Sequence, residues 1–82
     1  VRRHDLKCWP EFFRAMEAGR KPFEFRRDDR GFEEGDVLVL REYDPATDRT
    51  SGRQLTATVD LIFRECPGLP AGYVIMSLKD IV

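Results

Sequence analysis

A chain of 82 residues with 41% hydrophobic and 35% charged side chains can fill one small core, and it is too apolar for disorder and too evenly charged for a membrane span. Its net charge of −1 excludes a general polyanion binder, since no bulk positive field exists to gather one. The charge is uneven: residues 1–30 hold nine basic against six acidic groups, and the remaining 52 hold five against nine. An anionic ligand would therefore be recognised at a site and not by overall attraction.

A single domain over residues 1–82 is expected. The opening VRRHDLKCW contains no apolar run of signal-peptide length, so a cytoplasmic protein without membrane, metal or cofactor is the expectation. Cys8 and Cys66 stand 58 positions apart with no flanking histidines. That spacing indicates neither a zinc site nor a disulfide framework, and both are read as small buried hydrophobes.

In chain order, His4–Cys8 alternates, with Leu6 and Cys8 on one face and Asp5 and Lys7 on the other, which predicts a first strand with Lys7 pointing away from the core. Trp9 to Ala18 follows as a helix, begun by Pro10 and ended by Gly19. Trp9, Phe13 and Met16, widened by Phe12, form a stripe at helical spacing that predicts a core-facing side. Pro22–Arg26 reads as a strand in which Phe23 and Phe25 pack inward while Glu24 and Arg26 share the other face.

A polar loop, 27–31, and the turn Glu34-Gly35-Asp36 lead into Val37-Leu38-Val39-Leu40, predicted as a central strand buried on both sides. Residues 44–52 read as a long polar connection. Leu55, Ala57, Val59, Leu61 and Phe63 then alternate with polar residues in a long antiparallel strand, and Tyr73–Leu78 supplies the last one. The sum is a mainly β (α+β) fold, about five strands with one N-terminal helix in the order β-α-β-β-β-β. So many short strands in so short a chain hide their edges best by curling into a small barrel.

Gly19-Arg20-Lys21-Pro22-Phe23-Glu24-Phe25-Arg26 matches the pattern GxKxxExR at every fixed position. In this segment the chain resembles the ASCH domain, a member of the PUA-like superfamily of small pseudo-barrels. The surrounding HDLKCWPEFF and RDDRGFEEGDVLVLREYDPATDRTSG are similar to a bacterial and phage branch catalogued as a domain of unknown function. The resemblance implies a cleft beside the helix lined by Lys21, Glu24 and Arg26, with a role in binding RNA or a nucleotide-like ligand. It also picks out His4, Lys7, Asp29 and Arg30 as further ligand-binding candidates.

Chemically, Lys21 and Arg26 supply donors suited to phosphate oxygens, while Glu24 supplies acceptors suited to a base edge. The plain alternative is an exposed Glu24–Arg26 ion pair worth less than about 1 kcal/mol beside a solvated Lys21. A lone His4 is as well explained by a capping or solvent-facing role, and the mixed-sign run 26–30 by a loop that pairs its own charges. Two other classes of function stay open. Small ASCH-type amidohydrolases acting on acylated cytidine share the GRK segment, but the threonine of their next strand is replaced here by Glu24, and no catalytic residues are assigned. The third class is a protein-interaction module, which an apolar patch would favour over exposed aromatics at the cleft rim.

Overall fold

The computed structural model describes residues 1–82. The elements are β1 (Arg3–Cys8), α1 (Pro10–Glu17), β2 (Phe23–Arg27), β3 (Val37–Asp44), β4 (Arg49–Phe63) and β5 (Tyr73–Lys79). All five strands form one sheet in the order β1-β3-β4-β5-β2, curled into a half-barrel. β1 runs parallel to β3, and the other pairings are antiparallel. The expected fold class and element order are therefore present, with β4 and not β3 in the middle of the sheet.

The helix fits inside the curl. Pro10 occupies its first turn, where a missing N–H costs nothing, and Glu11 lies at the positive end of the dipole. Phe13 and Met16 are buried and join Leu6, Leu38 and Leu40 in the core. Trp9 and Phe12 do not follow them: they are 50% and 43% exposed, so the apolar stripe is narrower than its sequence spacing predicts. A helix of 8 residues at the mouth of a small sheet has room to bury one side only.

The helix ends in a Schellman motif. Gly19 takes φ +75°, its N–H donates to the Met16 carbonyl at 3.0 Å, and the Arg20 N–H donates to the Ala15 carbonyl at 2.9 Å. The Lys21 N–H reaches the same Ala15 carbonyl at 3.2 Å. No atom would obstruct a Cβ at Gly19. The position needs glycine for its backbone angle, and that angle delivers Lys21 to the start of β2.

Three strand expectations change. In β2 the burial is inverted: Phe23 and Phe25 are 43% and 48% exposed while Glu24 is buried at 6%. Alternation placed the two pairs on opposite faces as expected, but β2 is an edge strand whose inward face lines a cleft, so the polar set turns inward. In β4 Leu55, Ala57 and Val59 are buried, whereas Leu61 and Phe63 are exposed. A bulge between Val59 and Ile62, where the register against β5 shifts, reverses the phase and turns Ile62 toward the core instead. The connection after β3 is also shorter than read. Tyr43 pairs with Thr50 and Asp44 with Arg49, and these ladder residues project beyond the core with neither face well covered, so no alternation marks them.

The loop between β2 and β3 is anchored from within. Phe32 is fully buried and meets the His4 ring edge-on at 4.7 Å between centroids. The Asp36 carboxylate accepts from the Arg2 N–H at 3.0 Å, the Glu33 N–H at 3.0 Å and His4 Nε2 at 2.9 Å. Burial alone would raise the Asp36 carboxyl, but these hydrogen bonds and the nearby imidazole outweigh it and hold it at about 2. Cys8 is buried, Cys66 is partly exposed and both are free thiols. No helix is long and apolar enough to cross a membrane.

Candidate functional site

The half-barrel stays open between its two edge strands. β1 has only β3 as a neighbour and β2 only β5, so a seam separates them, crossed by Arg26 Nη2 reaching toward the Lys7 carbonyl at 3.5 Å. A cleft of about 590 Å³ fills this seam beside α1, within the range of small-ligand sites.

Three motif side chains build its polar wall. Lys21 Nζ donates to Glu24 Oε1 at 3.1 Å and to the Phe23 carbonyl at 3.0 Å. Arg26 Nε lies 3.1 Å from Glu24 Oε2, yet its N–H is not aligned on that oxygen and remains a buried donor without a hydrogen bond. The carboxylate is thus clamped by two cations and leaves the cluster with one net positive charge. An exposed Glu24–Arg26 pair beside a solvated Lys21 does not describe this arrangement, since the Lys21 and Glu24 side chains are 16% and 8% exposed.

Cys8 closes the cleft at the end of β1. Burial, and next the charge of Glu24, push its thiol up to about 11 despite the opposing influence of Lys21 and Arg26. It is therefore a protonated, weakly nucleophilic thiol near neutral pH.

The opposite wall and rim are aromatic. Trp9 and Phe12 stack on each other with centroids 6.0 Å apart and planes 15° from parallel. Phe23 and Phe25 stand on the β2 side, with Phe25 backed by Tyr73 at 5.5 Å. Lys21 Nζ sits 5.7 Å from the Phe12 ring and 5.0 Å from the Phe23 ring, between the two walls. The sequence pattern places these four exposed aromatics in the core, and the structure does not. For Phe23 and Phe25 the local pattern shows only that Glu24 and Arg26 share the other face; which face is covered follows from β2 lying at the sheet edge beside the cleft.

A second groove of about 440 Å³ adjoins the cleft and is lined by Asp5, Lys7, Arg26, Arg27, Asp29 and Arg30. Lys7 and Arg26 belong to both. Of the sequence candidates, Lys7, Lys21, Glu24 and Arg26 therefore meet in the cleft, and Asp29 and Arg30 lie in the neighbouring groove. His4 does not reach either one. It is 6% exposed and committed to Asp36, because β1 alternation places it on the buried face with Leu6 and Cys8. It is neither solvent-facing nor a cleft residue. No cluster of three or more His, Cys, Asp or Glu side chains has the arrangement of a metal site.

Fold and site together define a small curled β-sheet domain with a mixed aromatic and ionic cleft at its open seam. The chain belongs to the family described as a domain of unknown function (DUF3850), whose model matches residues 3–78. It is also similar to a protein of Escherichia phage P2 described as "Uncharacterized 12.9 kDa protein in GpA 3'region", at 40% identity over 40 residues. That match spans 49% of this chain and 37% of the phage protein.

Proposed function

We propose that the protein binds single-stranded RNA or a nucleotide-like ligand in the seam cleft, without catalysing a reaction on it. The observation that carries this reading is the pairing of four exposed aromatic rings with a buried, doubly clamped carboxylate in one cleft. Aromatic faces accept any base by stacking, and each stacked base contributes about 1–3 kcal/mol. Each Glu24 oxygen keeps a free lone pair beyond its contact with Lys21 or Arg26, enough to accept from the amino or imino edge of a base. The remaining Lys21 N–H and the terminal nitrogens of Arg26 suit phosphate oxygens. The GxKxxExR resemblance to ASCH domains of the PUA-like superfamily supports the same ligand class.

Hydrolysis of an acylated nucleoside is the competing reading. It fits the cleft less well, because Lys21 is engaged by Glu24 and the Phe23 carbonyl and no Ser or Thr lines the cavity. Titration with short RNA oligomers and nucleotides tests the proposal. Trp9→Ala is expected to weaken binding by about 1–3 kcal/mol, and Lys21→Ala to weaken all ligands alike. Glu24→Gln is expected to alter the preference among bases, since it replaces an acceptor with a mixed donor and acceptor. With few phosphates engaged, affinity for single strands should fall with salt at a log–log slope of only about −0.7 per phosphate. Absence of binding at millimolar ligand, or binding that all three substitutions leave unchanged, rules the proposal out. Turnover of an acylated nucleoside that disappears in Lys21→Ala promotes the hydrolase instead.

A further inference from the structure

We infer that the ligand is a strand and not a single nucleotide, with a base held in the aromatic cleft and the neighbouring phosphodiester held in the adjoining groove by Lys7 and Arg27. This rests on the nucleotide reading of the cleft and extends it to a second, chemically different compartment.

The two compartments divide the chemistry of a nucleic acid strand between them. The cleft has aromatic walls, whereas none of the six residues lining the groove is apolar, so the groove offers a base no aromatic ring to stack on. What it offers is positive charge. Its acids are already engaged: Asp5 accepts from Arg41 at 3.2 Å and Asp29 lies 3.7 Å from Arg30. Lys7 and Arg27 have no such carboxylate partner, and each rests on a ring. Lys7 Nζ lies 4.5 Å from the Tyr43 centroid and the Arg27 guanidinium 5.5 Å from that of Tyr73. A ring holds a cation in place without neutralising it, so both keep their charge for an incoming anion. Lys7 and Arg26 line both compartments, and the unmet Arg26 Nε–H lies in this shared wall. A chain running from cleft to groove therefore passes from stacking surface to cationic surface without a break.

The experiment measures affinity for uridine 5′-monophosphate, the 5′-phosphorylated uridine dinucleotide pUpU and hexauridylate, with a glutamate hexapeptide as the acidic non-nucleotide control. The dinucleotide is expected to bind at least about tenfold more tightly than the mononucleotide, and its log–log salt slope to be steeper by about 0.7 for the one added phosphate. Arg27→Ala should remove most of that gain and leave mononucleotide affinity within about twofold, while Arg27→Lys, which keeps the charge, restores much of it. Equal affinity for mononucleotide and dinucleotide overturns the strand inference and leaves the nucleotide cleft standing. So does an Arg27→Ala variant that loses affinity for both alike. Tighter binding of the glutamate peptide assigns the groove to an acidic protein segment and overturns it as well. Failure of every nucleotide to bind overturns the cleft reading and this inference together.

Discussion

Glu24 and Phe25 are neighbours with opposite consequences for stability. Glu24→Ala leaves Lys21 and Arg26 crowded together without their shared anion, and a cost of about 1–3 kcal/mol is expected, moderated by partial solvation of the two cations. Phe25→Ser removes a half-exposed ring that stacks on Tyr73, a cross-strand contact worth about 0.2–1 kcal/mol. Urea unfolding of the two variants should rank them in that order, and the reverse ranking would mean that β2 packs through its phenylalanines after all. From sequence the reverse was expected, because alternation reports which residues share a face and not which face is covered. That second fact depends on β2 lying at the sheet edge, which is decided by its pairing with β5, some 50 residues away in the chain. The role of His4 is not legible in the sequence for a related reason. Its partner Asp36 is remote in sequence, whereas the face it shares with Leu6 and Cys8 was legible in the alternation.

Among the elements, the β1–β3 junction carries the clearest pH dependence. Asp36 has a folded-state pKa lowered from the usual 3.8 to about 2. A lowered value means that the ionised carboxylate contributes stability above about pH 4 and that this contribution disappears as pH falls through about 2. The amount is on the order of 2 kcal/mol. Asp36→Asn is expected to lose that stability near neutral pH and to flatten the unfolding free energy between pH 4 and 2, measured by urea titration at several pH values. At the other end of the site, Gly19→Ala forces a Cβ into the left-handed region and should cost about 1 kcal/mol. The helix, its glycine terminator and all five strands were legible because each has local punctuation or periodicity. The β4 bulge was not, since the extra residue satisfies the alternating pattern right up to the point where the register against β5 shifts.

For the molecule as a whole, the uneven distribution of charge along the chain becomes a spatial one. Lys7, Arg20, Lys21, Arg26, Arg27 and Arg30 all line the cleft or its adjoining groove, although the protein is net acidic. Because the seam separates the two edge strands, a ligand lying in it touches both ends of the sheet at once. Hydrogen exchange is therefore expected to slow in β1 and β2 together when an RNA oligomer binds, with little change in β3 and β4, whose interior ladders are already protected. Protection confined to one edge would place the ligand outside the seam.

The pairing of β2 with β5 also sets an order of events during synthesis. Every residue of the cleft lies between Lys7 and Arg26, so the ribosome completes the motif before β5, yet the strand that carries Glu24 and Arg26 has no ladder to join until Tyr73–Lys79 has been made. At about 5–20 residues per second the nascent chain spends seconds holding the cleft residues without the geometry that brings them together. The geometry of the cleft is in that sense a property of β5, and Lys21, Glu24 and Arg26 take up their arrangement only on a chain in which Tyr73–Lys79 has already docked.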